Sequence, residues 1–382
     1  MHRQRLLQDC DRQLSTLLPQ LPRPEQKGLA HLVSGIVLAE SGRLSRASAA
    51  TPGPALDRSK QRRFQRLLAN PRLDVASALP QVVARVLARR HGRLDVLLDA
   101  TTVGASAHDP GTTTLMLALG DHGRAQPLTW RTWPADQPGQ DWAGTIPHLL
   151  ATVEAQRPPD TEPVLLADRG LGNAPLARQV SALGWHYLLR VTRTTQVRLP
   201  DGWDGPIGDL VPEPGTYRRV VGARIDPPRR TVAGAVLLDW DAALLTNLVA
   251  VWRTNDSEAW LLITDLPPCR TRCTEYRHRT WHEELFRDLK SLGLDWGHSR
   301  VRRPERVERL LLALALAVLW LLALGQRVIR RGQRRQLDDR RRRTLSRFQL
   351  GLSWLRRRLA TEQSLECVFH FWSVTLAFQK LS

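Results

Sequence analysis

Two apolar runs, each closing on an aspartate, constrain the fold of this chain most. Leu94-Asp95-Val96-Leu97-Leu98-Asp99 and Pro163-Val164-Leu165-Leu166-Ala167-Asp168 carry apolar residues at both parities, so neither strand has a face to give to water. Such strands belong in the middle of a sheet covered by helices on both sides. Thr113 to Leu119 and Pro127 to Trp133 predict two further strands, joined by Gly120-Asp121-His122-Gly123, a turn-rich segment suited to a hairpin. A helix is predicted from Asp141 to Ala155, with Asp141 capping its front. After Asp168 come Arg169-Gly170-Leu171-Gly172, a helix from Ala174 to Leu183 and a strand from Trp185 to Val191. Strand and helix alternation of this kind predicts a mixed α/β fold.

The flanks differ in character. Residues 1–90 are predicted helical, with Leu29, Leu32, Val33, Ile36 and Val37 at helical spacing and a second unit from Ser59 to Asn70. There Phe64, Leu67 and Leu68 form a narrow apolar stripe beside Lys60, Arg62, Arg63 and Arg66, and Asn70-Pro71 stops the helix. A small helical domain with a basic helix suits DNA binding, which makes Arg62, Arg63 and Arg66 candidate DNA contacts; the ordinary alternative is a solvated basic face. Residues 195–256, rich in Pro, Gly and Val, predict a β-rich insertion subdomain with strand pieces Tyr217–Ile225, Thr231–Leu238 and Leu248–Trp252. The strand Ala259–Thr264 then returns to a core made of residues 91–194 and 257–328. Residues 329–382 form a basic helical C-terminal region, with Arg340 to Arg343 and Arg356 to Arg358 interleaved with Phe348, Leu352, Trp354 and Leu355.

Charge narrows the partner. Fifty-six Lys and Arg against 37 acids give a formal net charge of +19, and the excess is spread along the chain, which predicts a folded protein holding a polyanion over several surfaces. Four cysteines, Cys10, Cys269, Cys273 and Cys367, are too few and too scattered for a disulfide framework or a four-ligand zinc site, and fit a reducing cytoplasm. The N-terminus shows no long apolar core of a secretory signal. The most apolar run, Leu310 to Gly325, is shorter than the roughly 20 residues that span a bilayer; it predicts a buried helix and no membrane partner.

The chemistry concentrates in Tyr276 to Lys290. Wound as one α-helix, this stretch gathers Tyr276, Arg279, Glu283 and Lys290 within about one sixth of the circumference. Trp281, Leu285, Leu289 and Leu292 fall on the opposite face, which would pack on a core. An ordinary solvated face with ion pairs four residues apart, Arg279 with Glu283 and Glu283 with Arg287, is the plain alternative. Tyr276-x2-Arg279-x3-Glu283-x6-Lys290, followed by Ser-Leu-Gly-Leu-Asp-Trp-Gly-His-Ser-Arg and Arg-Val-Glu-Arg-Leu-Leu, resembles the signature of the YREK-type DDE transposases, the insertion-sequence four family. The resemblance runs from about residue 30 to about residue 355. It implies a ribonuclease H-like core, end recognition by the N-terminal domain and a β insertion between the second and third acids.

Asp99, Asp168 and Glu283 meet only if the sheet brings both strand ends under the helix. Three oxygen ligands suit Mg²⁺ or Mn²⁺, and two such ions about 4 Å apart serve both the attacking and the leaving oxygen of an in-line displacement. Asp95 shares parity with Asp99, and Glu284 adjoins Glu283, so both are rival ligands. Asp99 is preferred for its strand-end place and its match to the family's Asp-Thr-Thr, and Glu283 for its place on the stripe. Asp99 as a strand-end cap held by Thr101 and Thr102, and Asp168 as a turn acid paired with Arg169, are the structural alternatives.

Carried over from the resembling family, Asp99, Asp168 and Glu283 are its DDE triad, and Tyr276, Arg279 and Lys290 match the residues that hold the DNA end. The implied reaction has water cut one strand at the element's end and the freed 3′ hydroxyl attack another phosphodiester, a cut-and-paste transposition without ATP. The implied partners are double-stranded DNA, both terminal inverted repeats and target, and a second copy in a homodimer. Among 13 tryptophans, Trp260 is the candidate for stacking on a base flipped out near the cut; a core tryptophan is the alternative. His282 falls off the stripe and is expected to be structural. The rival functions are a nuclease or resolvase of the same fold that cuts without strand transfer, a catalytically silent DNA-binding derivative and a membrane-associated basic protein.

Overall fold

A computed structural model of the chain describes residues 2–107, 109–137, 142–232, 235–291, 293–339, 343–361 and 363. The cap expected from Asp141, the apolar position Leu292, the arginines at 340–342, Cys367 and the last part of the basic C-terminal region lie outside these residues. Helices come first: α1 (His2–Leu17), α2 (Arg23–Ala39), α3 (Leu44–Ala50), α4 (Asp57–Ala69) and α5 (Val75–Leu87). Then follow β1 (Gly92–Val103), β2 (Thr112–Asp121), β3 (Arg124–Pro134), α6 (Trp142–Glu154), β4 (Thr161–Ala167), α7 (Ala174–Ala182) and β5 (His186–Arg190). A β-rich stretch supplies β6 (Gln196–Arg198), β7 (Asp204–Pro206), β8 (Tyr217–Ile225), β9 (Arg229–Val232), β10 (Ala235–Leu238) and β11 (Leu244–Val251). The remaining elements are β12 (Trp260–Thr264), α8 (Thr271–Tyr276), α9 (Thr280–Lys290), α10 (Pro304–Arg330) and α11 (Arg347–Ala360).

Both apolar runs are interior strands. The main sheet has the order β3-β2-β1-β4-β5-β12-β11-β8-β6-β7. β1 runs antiparallel to β2 and parallel to β4, and β4 runs parallel to β5. With helices packed on its faces, this is the mixed α/β arrangement expected from the sequence. His122 and Gly123 both take positive φ (50° and 83°) between the paired residues Asp121 and Arg124, which is how a two-residue hairpin matches the twist of its strands. The β-rich stretch does not stand apart from the sheet: β11, β8, β6 and β7 extend it beyond β12, and Thr231 to Leu238 divides between the paired strands β9 and β10.

The stretch from Tyr276 to Lys290 is not one α-helix. Tyr276 ends α8, Arg277–Arg279 form a 3₁₀ turn, and α9 begins at Thr280. A 3₁₀ turn advances about 120° per residue against 100°, so three such residues rotate Tyr276 by roughly 60° from its place on a uniform helix.

α10 is long and apolar enough to cross a membrane by length and composition, yet 89% of its most apolar window is buried inside the protein. It packs against α2, β3 and α11. Where α10 meets α11, Gly325 and Gly351 face each other: a Cβ on Gly325 would stand 1.9 Å from the Arg347 carbonyl oxygen, and one on Gly351 2.0 Å from that of Leu321. Only glycine lets the two backbones come that close.

Candidate active site

The parallel pairing of β1 with β4 ends at Leu98 opposite Ala167. Asp99 is the next residue of β1 and Asp168 the first residue past β4, and neighbouring strands lie about 4.8 Å apart with in-register side chains on one face. The two acids therefore emerge together. Asp99 is not at the end of its strand, because β1 continues to Val103, paired only with β2. Its Oδ1 accepts from the Ala100 amide at 2.8 Å, whereas Thr101 is taken by Lys290 and Thr102 by Thr113, so the strand-end cap foreseen from the sequence does not form. Asp168 Oδ1 accepts from the Gly170 amide (2.9 Å), and its carbonyl receives the amides of Leu171 and Gly172. Arg169 turns to Glu258 and leaves Asp168 alone.

α9 and the 3₁₀ turn before it lie along β1. His278 Nδ1 meets Asp95 Oδ2 at 2.5 Å and stacks on Trp281. Arg279 Nη1 donates to Asp99 Oδ2 at 3.2 Å, and Nη2 donates to Glu283. His282 is fully buried, with Nε2 3.1 Å from the carbonyl oxygen of Met116, the residue opposite Asp99 on β2. Arg124 receives both Glu284 (3.1 Å) and Asp288 (3.2 Å). Lys290 Nζ donates to Thr101 Oγ1 and to the Thr102 carbonyl (3.0 Å). Thus Asp95 and Glu284, the rival ligands, are each engaged elsewhere, and the acids left facing Arg279 are Asp99, Glu283 and, beside Asp99, Asp168.

The electrostatics follow from burial. Desolvation raises the Asp99 carboxyl to about 6; Arg279 and the Ala100 amide oppose the rise, and the charges of Asp168 and Glu283 add to it. Asp95 moves the other way: burial would raise it, but His278 and Arg93 hold it below the usual carboxylate range. Burial lowers Lys290, and Asp99 counters it.

Three carboxylates against one bridging guanidinium leave a deficit of positive charge, and an all-oxygen donor set of this kind fits Mg²⁺ or Mn²⁺ chemically. As the side chains stand they do not form one coordination shell. Among the described residues no three His, Cys, Asp or Glu side chains are grouped closely enough to hold an ion. The reason is visible: Arg279 fills the space between Asp99 and Glu283, whose side chain is 47% exposed on the surface of α9.

The remaining predicted residues are placed as follows. Tyr276, expected at the DNA, is 4% exposed; its hydroxyl donates to the Ala167 carbonyl at 3.3 Å and its ring meets Trp260 edge to face. It braces the end of β4 from within. Trp260 is half-buried between Tyr276 and the Arg253 guanidinium, 4.9 Å from its ring centroid. Arg62, Arg63 and Arg66 are exposed on α4 while Phe64, Leu67 and Leu68 are buried. His282 has a positional role that its off-stripe place does not announce: it ties the residue next to Glu283 to the strand position opposite Asp99. A buried histidine beside an acid was the available signal, and its partner, a backbone carbonyl 166 residues away, has none.

A family model described as the transposase DDE domain matches residues 91–320. Among solved structures, the chain is similar to a piggyBac transposase synaptic complex with hairpin DNA, determined by cryo-electron microscopy. The identity is 11% and the TM-score 0.42, over 85% of this chain and 73% of that one. No curated protein matches.

Proposed function

The chain belongs to the transposase DDE domain family, and on that premise we propose that it is an insertion-sequence transposase of the YREK type. It cleaves double-stranded DNA at the element's ends in a metal-dependent reaction and joins the freed 3′ hydroxyl to target DNA. One observation carries the reading: Asp99 and Asp168 leave the β1–β4 pair side by side, and Arg279 links Asp99 to Glu283 across the gap to α9.

In this reading Asp99, Asp168 and Glu283 hold Mg²⁺ or Mn²⁺, two ions in the working complex, which when bound supply Lewis-acid activation of the attacking and leaving oxygens. Arg279 exchanges its carboxylate partners for a DNA phosphate, which offers the same bidentate geometry. Lys290 and Arg279 position the backbone, and Tyr276 positions Asp168 through the Ala167 carbonyl. Trp260 stacks an unstacked base on its ring when the Arg253 guanidinium gives up that face. The N-terminal helices, through Arg62, Arg63 and Arg66, hold the end sequence, and two copies pair two ends.

The test uses Asp99→Asn, Asp168→Asn and Glu283→Gln with duplexes carrying the inverted repeats that flank the gene. Each variant is expected to bind the duplex within about twofold of wild type and to cut it at least about 10³-fold more slowly in Mg²⁺. Cleavage retained in any one removes that ligand. A precut end with a 3′ hydroxyl that is never joined to target DNA makes the protein a nuclease.

A further inference from the structure

We infer that the cleft between α4 and the segment leading into α10 is a second DNA-binding surface, one that grips the phosphate backbone of the duplex a few base pairs away from the acids. The inference rests on the function proposed above and adds a location to it. The cleft, about 660 Å³, is lined by Gln61 and Gln65 of α4 on one side and by Arg300, Arg303 and Arg306 on the other. Arg43 and Arg302 also line it, and no acid does.

Its charge is unspent. Arg43 is paired with Asp295 and Arg302 with Asp109, but Arg300, Arg303 and Arg306 make no ion pair with any described residue. Like charges gathered without acids repel one another unless a polyanion lies among them. Arg300 moreover has a φ of 58°, a left-handed conformation that residues with a Cβ avoid and that is kept where the surroundings enforce it.

The walls are fixed before any ligand arrives. The Arg302 carbonyl accepts from Thr112 Oγ1 (2.9 Å) and the Pro304 carbonyl from Thr132 Oγ1 (2.8 Å), which fastens the arginine wall to β2 and β3. Arg309 of α10 donates to the carbonyls of Leu68 (2.9 Å) and Leu73 (3.2 Å), holding the end of α4 against the same helix. The glutamine wall therefore cannot drift from the arginine wall. Glutamine donors also suit phosphate oxygens or an adenine edge.

The position relative to the acids follows from the sheet. Thr112 pairs with Val103, four residues along β1 from Asp99, or about 13 Å. Lys290 lies on the way, bound at Thr101 and Thr102. At about 3.4 Å of helix axis per base pair, a duplex placed at the acids with its axis running over Lys290 reaches the cleft no nearer than about four base pairs from the cut.

The experiment is equilibrium binding of an end-containing duplex without divalent ions over a range of salt. The triple variant Arg300→Ala, Arg303→Ala, Arg306→Ala is compared with wild type, with Arg300→Lys, Arg303→Lys, Arg306→Lys, and with Asp99→Asn. The alanine variant is expected to bind at least about tenfold more weakly and to flatten the salt slope by about two to three, near one for each phosphate no longer neutralised. The lysine variant should keep the slope. Shortening the duplex to end four base pairs from the cut should bring wild type down to the alanine variant. Wild-type affinity and slope in the alanine variant would overturn the cleft and leave the proposed function standing. A wild-type protein that binds no duplex would overturn both.

Discussion

Arg279 Nη1 stands 3.2 Å from Asp99 Oδ2, and the other end of the same guanidinium holds Glu283. One cation thus keeps two acids from different elements in register while occupying the space between them. On the function proposed above, it would compete in DNA-free protein with a divalent ion for the same carboxylates.

The first prediction concerns that competition. Arg279→Gln should raise the affinity for Mn²⁺ in the absence of DNA by about tenfold or more, since unit charges about 4 Å apart interact by up to a few kcal/mol near a protein surface. Wild-type Mn²⁺ uptake should climb with pH and level off above about 6, where Asp99, raised by burial, is ionised. Arg279 opposes that rise, so its removal moves the curve to higher pH. Calorimetric titration from pH 5 to 8 measures both, and an unchanged Mn²⁺ affinity would refute the competition.

The second concerns His282. Burial lowers its imidazole to about 4, so it is neutral at working pH, with Nε2 donating to the Met116 carbonyl and Nδ1 without a partner among the described residues. His282→Leu removes that hydrogen bond, at a cost of about 0.5 to 1.5 kcal/mol. If His282 also sets the height of Glu283 over Asp99, kcat should fall by about tenfold or more while KM for the duplex holds constant. His282→Gln, which can still donate, should recover part of it. Equal losses in both variants, tracking stability alone, would reduce His282 to a packing residue.

How far the sequence can be read depends on which contacts are local. The unbroken apolar runs Leu94–Leu98 and Val164–Ala167 announce buried strands, because burial on both faces removes the polar alternation. Asp121-His122-Gly123 announces a hairpin, because its backbone needs φ above zero. Neither the inward place of Tyr276 nor the 3₁₀ turn after it has a residue marker: Arg277-His278-Arg279 contains neither Gly nor Pro, and there His278 and Arg279 bind Asp95 and Asp99. Those partners are 183 and 180 residues away. The same holds for the cleft beside α4, whose two walls come from segments more than 230 residues apart.

The third prediction is a pH dependence of stability. Asp288 is 2% exposed, and burial raises its carboxyl to about 7 against the pull of Arg124. The raised value means the folded protein keeps a proton that the unfolded chain has lost above about 3.8. Its contribution to stability therefore declines as pH rises from about 4 to about 7. Asp288→Asn, neutral at every pH, should raise Tm at pH 8 relative to wild type and do little at pH 4.5. The reverse order would mean that the pair with Arg124 outweighs burial.

The fourth prediction concerns Asp121, which fastens three parts of the chain. Its Oδ2 accepts from Arg347 of α11 (2.9 Å), Arg90 just past α5 (3.2 Å) and Gln126 of β3 (2.9 Å), and His122 meets Oδ1. Burial would raise this carboxyl, but His122, Arg347 and Arg90 hold it well below the ordinary range. A depressed value contributes stability above about pH 4 that is lost as pH falls further. Asp121→Asn leaves two largely buried guanidiniums facing each other, and breaking a buried pair from one side costs about 3 to 5 kcal/mol. Denaturant unfolding at pH 7 should show that loss, and the gap between variant and wild type should only begin to narrow as pH falls below about 4, without closing while the folded carboxyl stays ionised. Arg347→Met should cost less, since Arg90 and His122 remain with the carboxylate. A variant as stable as wild type at pH 7 would show that the hairpin, α5 and α11 are held by their apolar contacts without this ion cluster.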